Sequence, residues 1–220
     1  MTAVDEAFAY CETLVRDGDK DRFLASLFAP AVQRRKLFAL YAFNLETARV
    51  HAVAREPMAG AIRLQWWRDA LTGERPGEAA ASPVAAALGA ALSETAADRA
   101  PLIDLIEQRR AELFGEAAAS VEAHVFLTAA RLLGGDGEAL PVAALDAGLA
   151  YDLSRDPAQH AHAREHYARF RAAVSQFPPA VIPAFLPAAL VPLRLKHPDP
   201  SQWRRQIALA RAAWFGFPSA

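Results

Sequence analysis

Apolar residues recur along this chain at helical spacing in nine stretches: 3–16, 31–55, 59–72, 83–96, 101–114, 117–134, 141–153, 157–176 and 199–215. Between them, glycine, proline and aspartate cluster at Asp17-Gly-Asp19, Gly73 to Gly77, Gly134-Gly-Asp-Gly137 and Lys196 to Pro200, where the chain is expected to turn. Pro101 and Pro141 suit the first turn of a helix, where the N–H they lack has no intrahelical partner. No window alternates with period two over strand length, and no repeat or linker divides the chain. The pattern predicts an all-α fold, one domain over residues 1–220.

Two stretches depart from simple amphipathicity. Stretch 31–55 is apolar nearly all round, with Leu37, Phe38, Leu40, Tyr41, Phe43 and Leu45 leaving no polar face, which predicts a central, buried helix. Its polar residues then need partners. Glu46 and Arg49 stand at i, i+3 and can pair, while Asn44, Ala48 and either His51 or Ala52 share another face. The run Val174 to Leu193 is uncharged for 20 residues, long enough to span a bilayer. Pro178, Pro179, Pro183, Pro187 and Pro192 interrupt it, so a broken buried helix or an interfacial segment is expected instead.

Composition agrees with a helical, globular chain. Apolar residues make up 53% and charged ones 22%, alanine dominates, and β-branched residues are thin. The single cysteine, Cys11, leaves no intrachain disulfide and suits a reducing compartment. A net charge of −1 gives no general attraction for nucleic acid. Charge is unevenly spread, however. Residues 164–220 carry eight Arg or Lys against only Glu165 and Asp199, about +6, which leaves about −7 on the rest. That is either a solvated basic face or a patch for anionic lipid or an acidic partner. The acidic N-terminal stretch, with Asp5, Glu6 and Glu12, is unlike an Arg-rich presequence. A cytoplasmic location, with peripheral contact at the inner membrane, is the expectation.

Three segments in order carry a family resemblance. Arg22-Phe-Leu-Ala-Ser-Leu-Phe-Ala-Pro30 leads to Arg34-Arg35 and Ala39 to Phe43; Gly60 to Leu71 holds the pair Trp66-Trp67; Pro183-Ala-Phe-Leu-Pro187 lies near the C-terminus. Together they resemble the squalene/phytoene synthase family, which implies an isoprenoid-synthase-like helical bundle, here shortened. Members that condense prenyl diphosphates need two aspartate-rich motifs, because Mg²⁺ must neutralise the departing diphosphate and takes hard oxygen ligands. By that resemblance the first motif would fall at Ala48, Arg49 and Ala52, two carboxylates lost and one position reversed in charge. The second would fall near Ser154 to His160, where Asp156 keeps one acid and His160 replaces another. Phe43-Asn44 with Glu46, and Arg63-Leu-Gln-Trp-Trp67, resemble a non-catalytic branch that serves assembly of respiratory complex I.

The resemblance therefore implies a binding or assembly factor without cofactor, with a protein partner, an isoprenoid or lipid ligand as a further candidate, and no nucleic acid. Its cavity candidates are Tyr41, Asn44, Ala48, Arg63, Trp67, Arg155 and Asp156. The alternative is an active Mg²⁺-dependent prenyl transferase on Glu46, Asp152 and Asp156, the last two at i, i+4. A third reading is a lipid or quinone carrier.

Other signals are weaker. Adjacent tryptophans point about 100° apart on a helix, so one of Trp66 and Trp67 is expected in the core with Leu64 and Leu71. His162-Ala-Arg-Glu-His166 matches an inverted zinc-peptidase pattern, yet Asp199 is the only acid downstream to complete it, so a surface histidine cluster is expected. Cys11 has no neighbouring base, and Gly134 to Gly137 lacks the strand and lysine of a phosphate loop.

Overall fold

The computed structural model describes residues 2–54, 56–116 and 120–220, and every regular element among them is helical. The order is α1 (Ala3–Gly18), α2 (Lys20–Ser26), α3 (Ala31–Val53), α4 (Pro57–Thr72), α5 (Pro76–Ala81), α6 (Pro83–Thr95), α7 (Ala100–Leu113), α8 (Val121–Leu132) and α9 (Ala139–Leu153). A 3₁₀ turn, Pro157–Gln159, leads into α10 (His160–Val174). The chain closes through α11 (Ile182–Phe185), α12 (Val191–Lys196) and α13 (Gln202–Phe215).

Local chemistry sets the boundaries. Thr2 and Asp5 cap one another's backbone at the start of α1. Ser82 and Ser120 accept from backbone N–H groups at the starts of α6 and α8. Gly73 ends α4 with φ +84°, a left-handed conformation that glycine adopts without strain. All nine predicted helices form, with ends displaced by at most four residues. Position 55 and positions 117–119, inside two of them, lie outside the described residues.

The periodicity missed α2 and α5, which are too short to show a stripe. The run expected as a broken helix is broken by design of its prolines. Pro179, Pro183, Pro187 and Pro192 each sit in the first turn of their own short 3₁₀ or α piece, where no N–H is needed. By length and hydropathy residues 179–196 would pass for a membrane span, but 67% of the stretch is buried inside the protein. Phe185 is its anchor, stacked on Phe126 and Phe177 with centroids 5.9 Å away in both cases.

α3 is central, as its all-round apolarity required. Lys36 to Asn44 is buried without interruption, and the helix packs on α1, α2, α4, α6, α7 and α8. Trp67 is the core member of its pair, edge-on to Phe43 at 5.0 Å. Trp66 is half-buried and donates its ring N–H to Glu78. α8 and α9 meet backbone to backbone at Gly148. A Cβ there would lie 2.3 Å from the Ala123 amide nitrogen, so only glycine lets the two backbones meet. That contact brings the start of α8 against the end of α9.

Candidate functional site

A cleft of about 530 Å³ opens where the ends of α7, α8 and α9 meet the middle of α3 and the start of α2. Half of its fourteen lining residues are charged: Asp19, Arg22, Arg109, Glu112, Glu122, Asp152 and Arg155. Leu45, Val121, Leu149 and Leu153 supply its apolar share, so the cleft is mixed in character, with carboxylates and guanidinium groups set among aliphatic side chains.

Arg22 organises the floor. Its side chain is only 5% exposed, and it donates to Asp19 at 2.9 Å and to the buried Glu122. Its guanidinium lies over the rings of Tyr41 at 5.4 Å and Tyr151 at 5.6 Å. Burial opposes the arginine's charge, but Glu122 and Asp19 outweigh it and hold the group firmly protonated. On the α7 side, Arg109 donates to the Asn44 side-chain Oδ1 at 2.9 Å and lies 3.8 Å from Glu112, and burial pulls its pKa down.

The other wall is Asp152. Burial, reinforced by the nearby Glu122 charge, pushes its pKa up to about 6, against donation from the Ser120 hydroxyl at 2.7 Å and attraction by Arg155. Ser120 thus serves twice, capping α8 and holding Asp152. Arg155 covers the Tyr151 ring at 4.9 Å. Tyr151 also receives a hydrogen bond from Arg194 at 3.1 Å, which ties the cleft to the proline-broken segment.

Of the residues expected at a cavity, Asn44, Ala48 and Arg155 line this cleft, and so does the metal candidate Asp152. Tyr41 lies just beneath it, buried under Arg22. Three others are elsewhere. Arg63 is exposed on α4. Trp67 lines a separate cavity of about 200 Å³ with Leu71, Leu92 and Arg99. Asp156 is exposed and accepts from the Ala158 backbone, capping the 3₁₀ turn.

The proposed ligand set Glu46, Asp152 and Asp156 is not assembled. α9 ends at Leu153, so Asp152 and Asp156 do not share a helical face. Glu46 sits around α3 from Asn44, where it is half-buried and raises the Cys11 thiol, already lifted by burial, to about 12. Its own carboxyl is raised by burial, with Arg49 and Arg63 opposing. No three His, Cys, Asp or Glu side chains gather in metal-binding geometry among the described residues. The acids present are committed to arginines, caps and a serine, a donor set that does not fit the Mg²⁺ cluster of diphosphate ionisation. In the histidine cluster, His166 pairs with Asp146 at 2.7 Å and His162 lies 3.1 Å from Gln159.

Sequence reasoning passed over Glu122, Asp19, Arg109 and Ser120. Each is an ordinary surface-type residue: Ser120 and Glu122 open α8 where it meets Gly148 of α9, Asp19 caps α2, and Arg109 stands toward the end of α7. Arg22 stood in the segment that carried the family resemblance, but nothing there marked it as buried.

A fold of this kind, helices around a buried central α3 with a cleft at their ends, is that of the isoprenoid-synthase class. A dehydrosqualene synthase crystal structure in complex with ligand superposes with a TM-score of 0.74 over 94% of this chain and 95% of that one, at 18% identity. The sequence profile of the squalene/phytoene synthase family matches residues 15–134, and the chain belongs to that family. The rat NADH dehydrogenase (ubiquinone) complex I assembly factor 6 is 31% identical over 118 residues, 54% of this chain and 35% of that protein. The human protein of that name is 30% identical over 113 residues, and a fruit-fly homologue 38% over 63. The matched stretch spans about a third of the length of the mammalian relatives.

Proposed function

We propose that this chain is a non-catalytic squalene/phytoene synthase relative that acts as an assembly factor for a respiratory NADH dehydrogenase. The observation that carries the reading is the chemistry of the cleft. Where a prenyl transferase would place carboxylates on Mg²⁺, this chain has Ala48, and its acids Asp19 and Glu122 neutralise the buried Arg22 of its own floor. Such a site holds its shape instead of ionising a substrate. The similarity to the assembly factors supplies the direction, a protein partner in the making of a respiratory complex. The factor would work in the cytoplasm, in peripheral contact with the inner membrane.

The test has two arms. Purified protein is incubated with farnesyl or geranylgeranyl diphosphate, with Mg²⁺ or with chelator, and diphosphate release is followed; none is expected. A strain lacking the chain is then assayed for NADH dehydrogenase assembly, which the Asp152→Asn variant should restore. Metal-dependent release that disappears in Asp152→Asn would sink the reading in favour of a prenyl transferase.

A further inference from the structure

The last helix has two apolar faces, and the fold uses one. Leu209 and Ala212 are buried against residues 186–190 and α2, and Arg205 on that side meets the buried Asp21 at 3.1 Å. On the opposite side Trp203, Ile207, Ala210 and Trp214 follow at i, i+4, i+7 and i+11, which is one stripe of an α-helix. Trp203 is 59% exposed, Trp214 76% and the adjoining Phe215 82%. Half of the chain's four tryptophans therefore stand in solvent on one helix.

The charge around this stripe has one sign. Lys196, Arg204 and Arg211 flank it, none with an acidic partner among the described residues, and Arg204 lies over the Trp203 ring at 5.5 Å. From residue 166 to 220 the only acid is Asp199. Beside the stripe, a groove of about 480 Å³ runs between α12, α13 and residues 215–219, floored by Leu193, Ala208 and Phe217 and rimmed by those three cations. Apolar trough and cationic rim together match a phospholipid, acyl chain below and phosphate above.

We propose that α13 docks flat on an anionic phospholipid bilayer. Trp203, Ile207, Trp214 and Phe215 then seat at the boundary between headgroups and acyl chains, where tryptophan is at home, and Lys196, Arg204 and Arg211 meet the phosphates. This gives the peripheral contact proposed above a surface and a lipid class, and vesicle binding reads it separately from any assembly role. A protein partner fits less well, because burying three unpaired cations in a dry interface costs more than laying them on phosphates.

The experiment is flotation of the full chain with vesicles of phosphatidylcholine, alone or mixed with phosphatidylglycerol in roughly a three-to-one ratio. Binding is expected to the mixed vesicles only, to weaken with added salt, and to shift tryptophan emission to the blue. The double variant Trp203→Ala with Trp214→Ala should bind at least tenfold more weakly, and Arg204→Gln and Arg211→Gln about fivefold each. Because these residues are exposed, circular dichroism should match the parent. No binding, equal binding to neutral vesicles, or undiminished binding by the tryptophan variant would overturn the proposal. So would a dimer in solution that these substitutions dissolve, which would place a second copy of the chain on the stripe.

Discussion

Arg22 is held by two carboxylates and two aromatic rings. It is almost wholly withdrawn from water, and a buried guanidinium persists only if paired. Asp19 is 18% exposed and shares part of its charge with solvent, so Glu122, at 9%, carries most of the compensation. Glu122→Ala is accordingly expected to lower stability by about 3–5 kcal/mol, the cost of stranding a buried charge. Urea denaturation measures it. A loss near zero would mean that Asp19 alone suffices.

Asp152 gives a second expectation, with the sign set by burial. Its folded pKa of about 6 lies above the ordinary carboxylate value of 3.8, so the folded state holds the proton more tightly than the unfolded chain does. Its contribution is full at low pH and is lost as pH rises through about 6. Asp152→Asn, which keeps an acceptor for Ser120 and removes the charge, should therefore be the more stable protein at pH 7, by about 1–3 kcal/mol. The difference between the two should shrink toward pH 4. Parallel urea curves across that range check it, and a destabilised asparagine variant at pH 7 would reverse the assignment.

Elements are where the sequence was most and least informative. The all-round apolarity of 31–55 predicted a central helix because burial on every side leaves no room for a polar face, and α3 is that helix. Seven-residue α2 and six-residue α5 carry too few turns for periodicity to speak. The cleft was hidden for a different reason. Nothing local distinguishes Glu122 from any acid in a first turn, and its burial follows from α9 crossing α8 at Gly148. Gly148→Ala tests that crossing. Its Cβ would meet backbone, not a side chain that can turn aside, so a loss of at least about 1–3 kcal/mol is expected. The Ser120–Asp152 hydrogen bond should loosen with it. Hydrogen exchange at the start of α8 would rise, and unchanged protection there would show that the helices separate without cost.

At the scale of the whole molecule, the proposed reading turns on whether two carboxylates restored to α3 would build a metal site. Ala48 lines the cleft and Ala52 lies one turn further along α3, so Ala48→Asp with Ala52→Asp would return two carboxylates to one helix. The other acids around the cleft are already engaged, Asp19 with Arg22 and Glu112 near Arg109. Glu122 is spent on Arg22, Asp152 is held by Ser120 with its protonation favoured, and Asp156 is turned outward as a cap. Arg22, Arg109 and Arg155 also surround the space a divalent cation would need, and like charges repel it. The double variant is thus expected to bind Mg²⁺ no better than the parent by calorimetry, and to release no diphosphate from farnesyl diphosphate. Gain of metal-dependent turnover would mean that the two α3 positions alone suffice to build a metal site in this fold. Its absence would place the divergence in the arginine-lined floor, which two aspartates cannot rebuild.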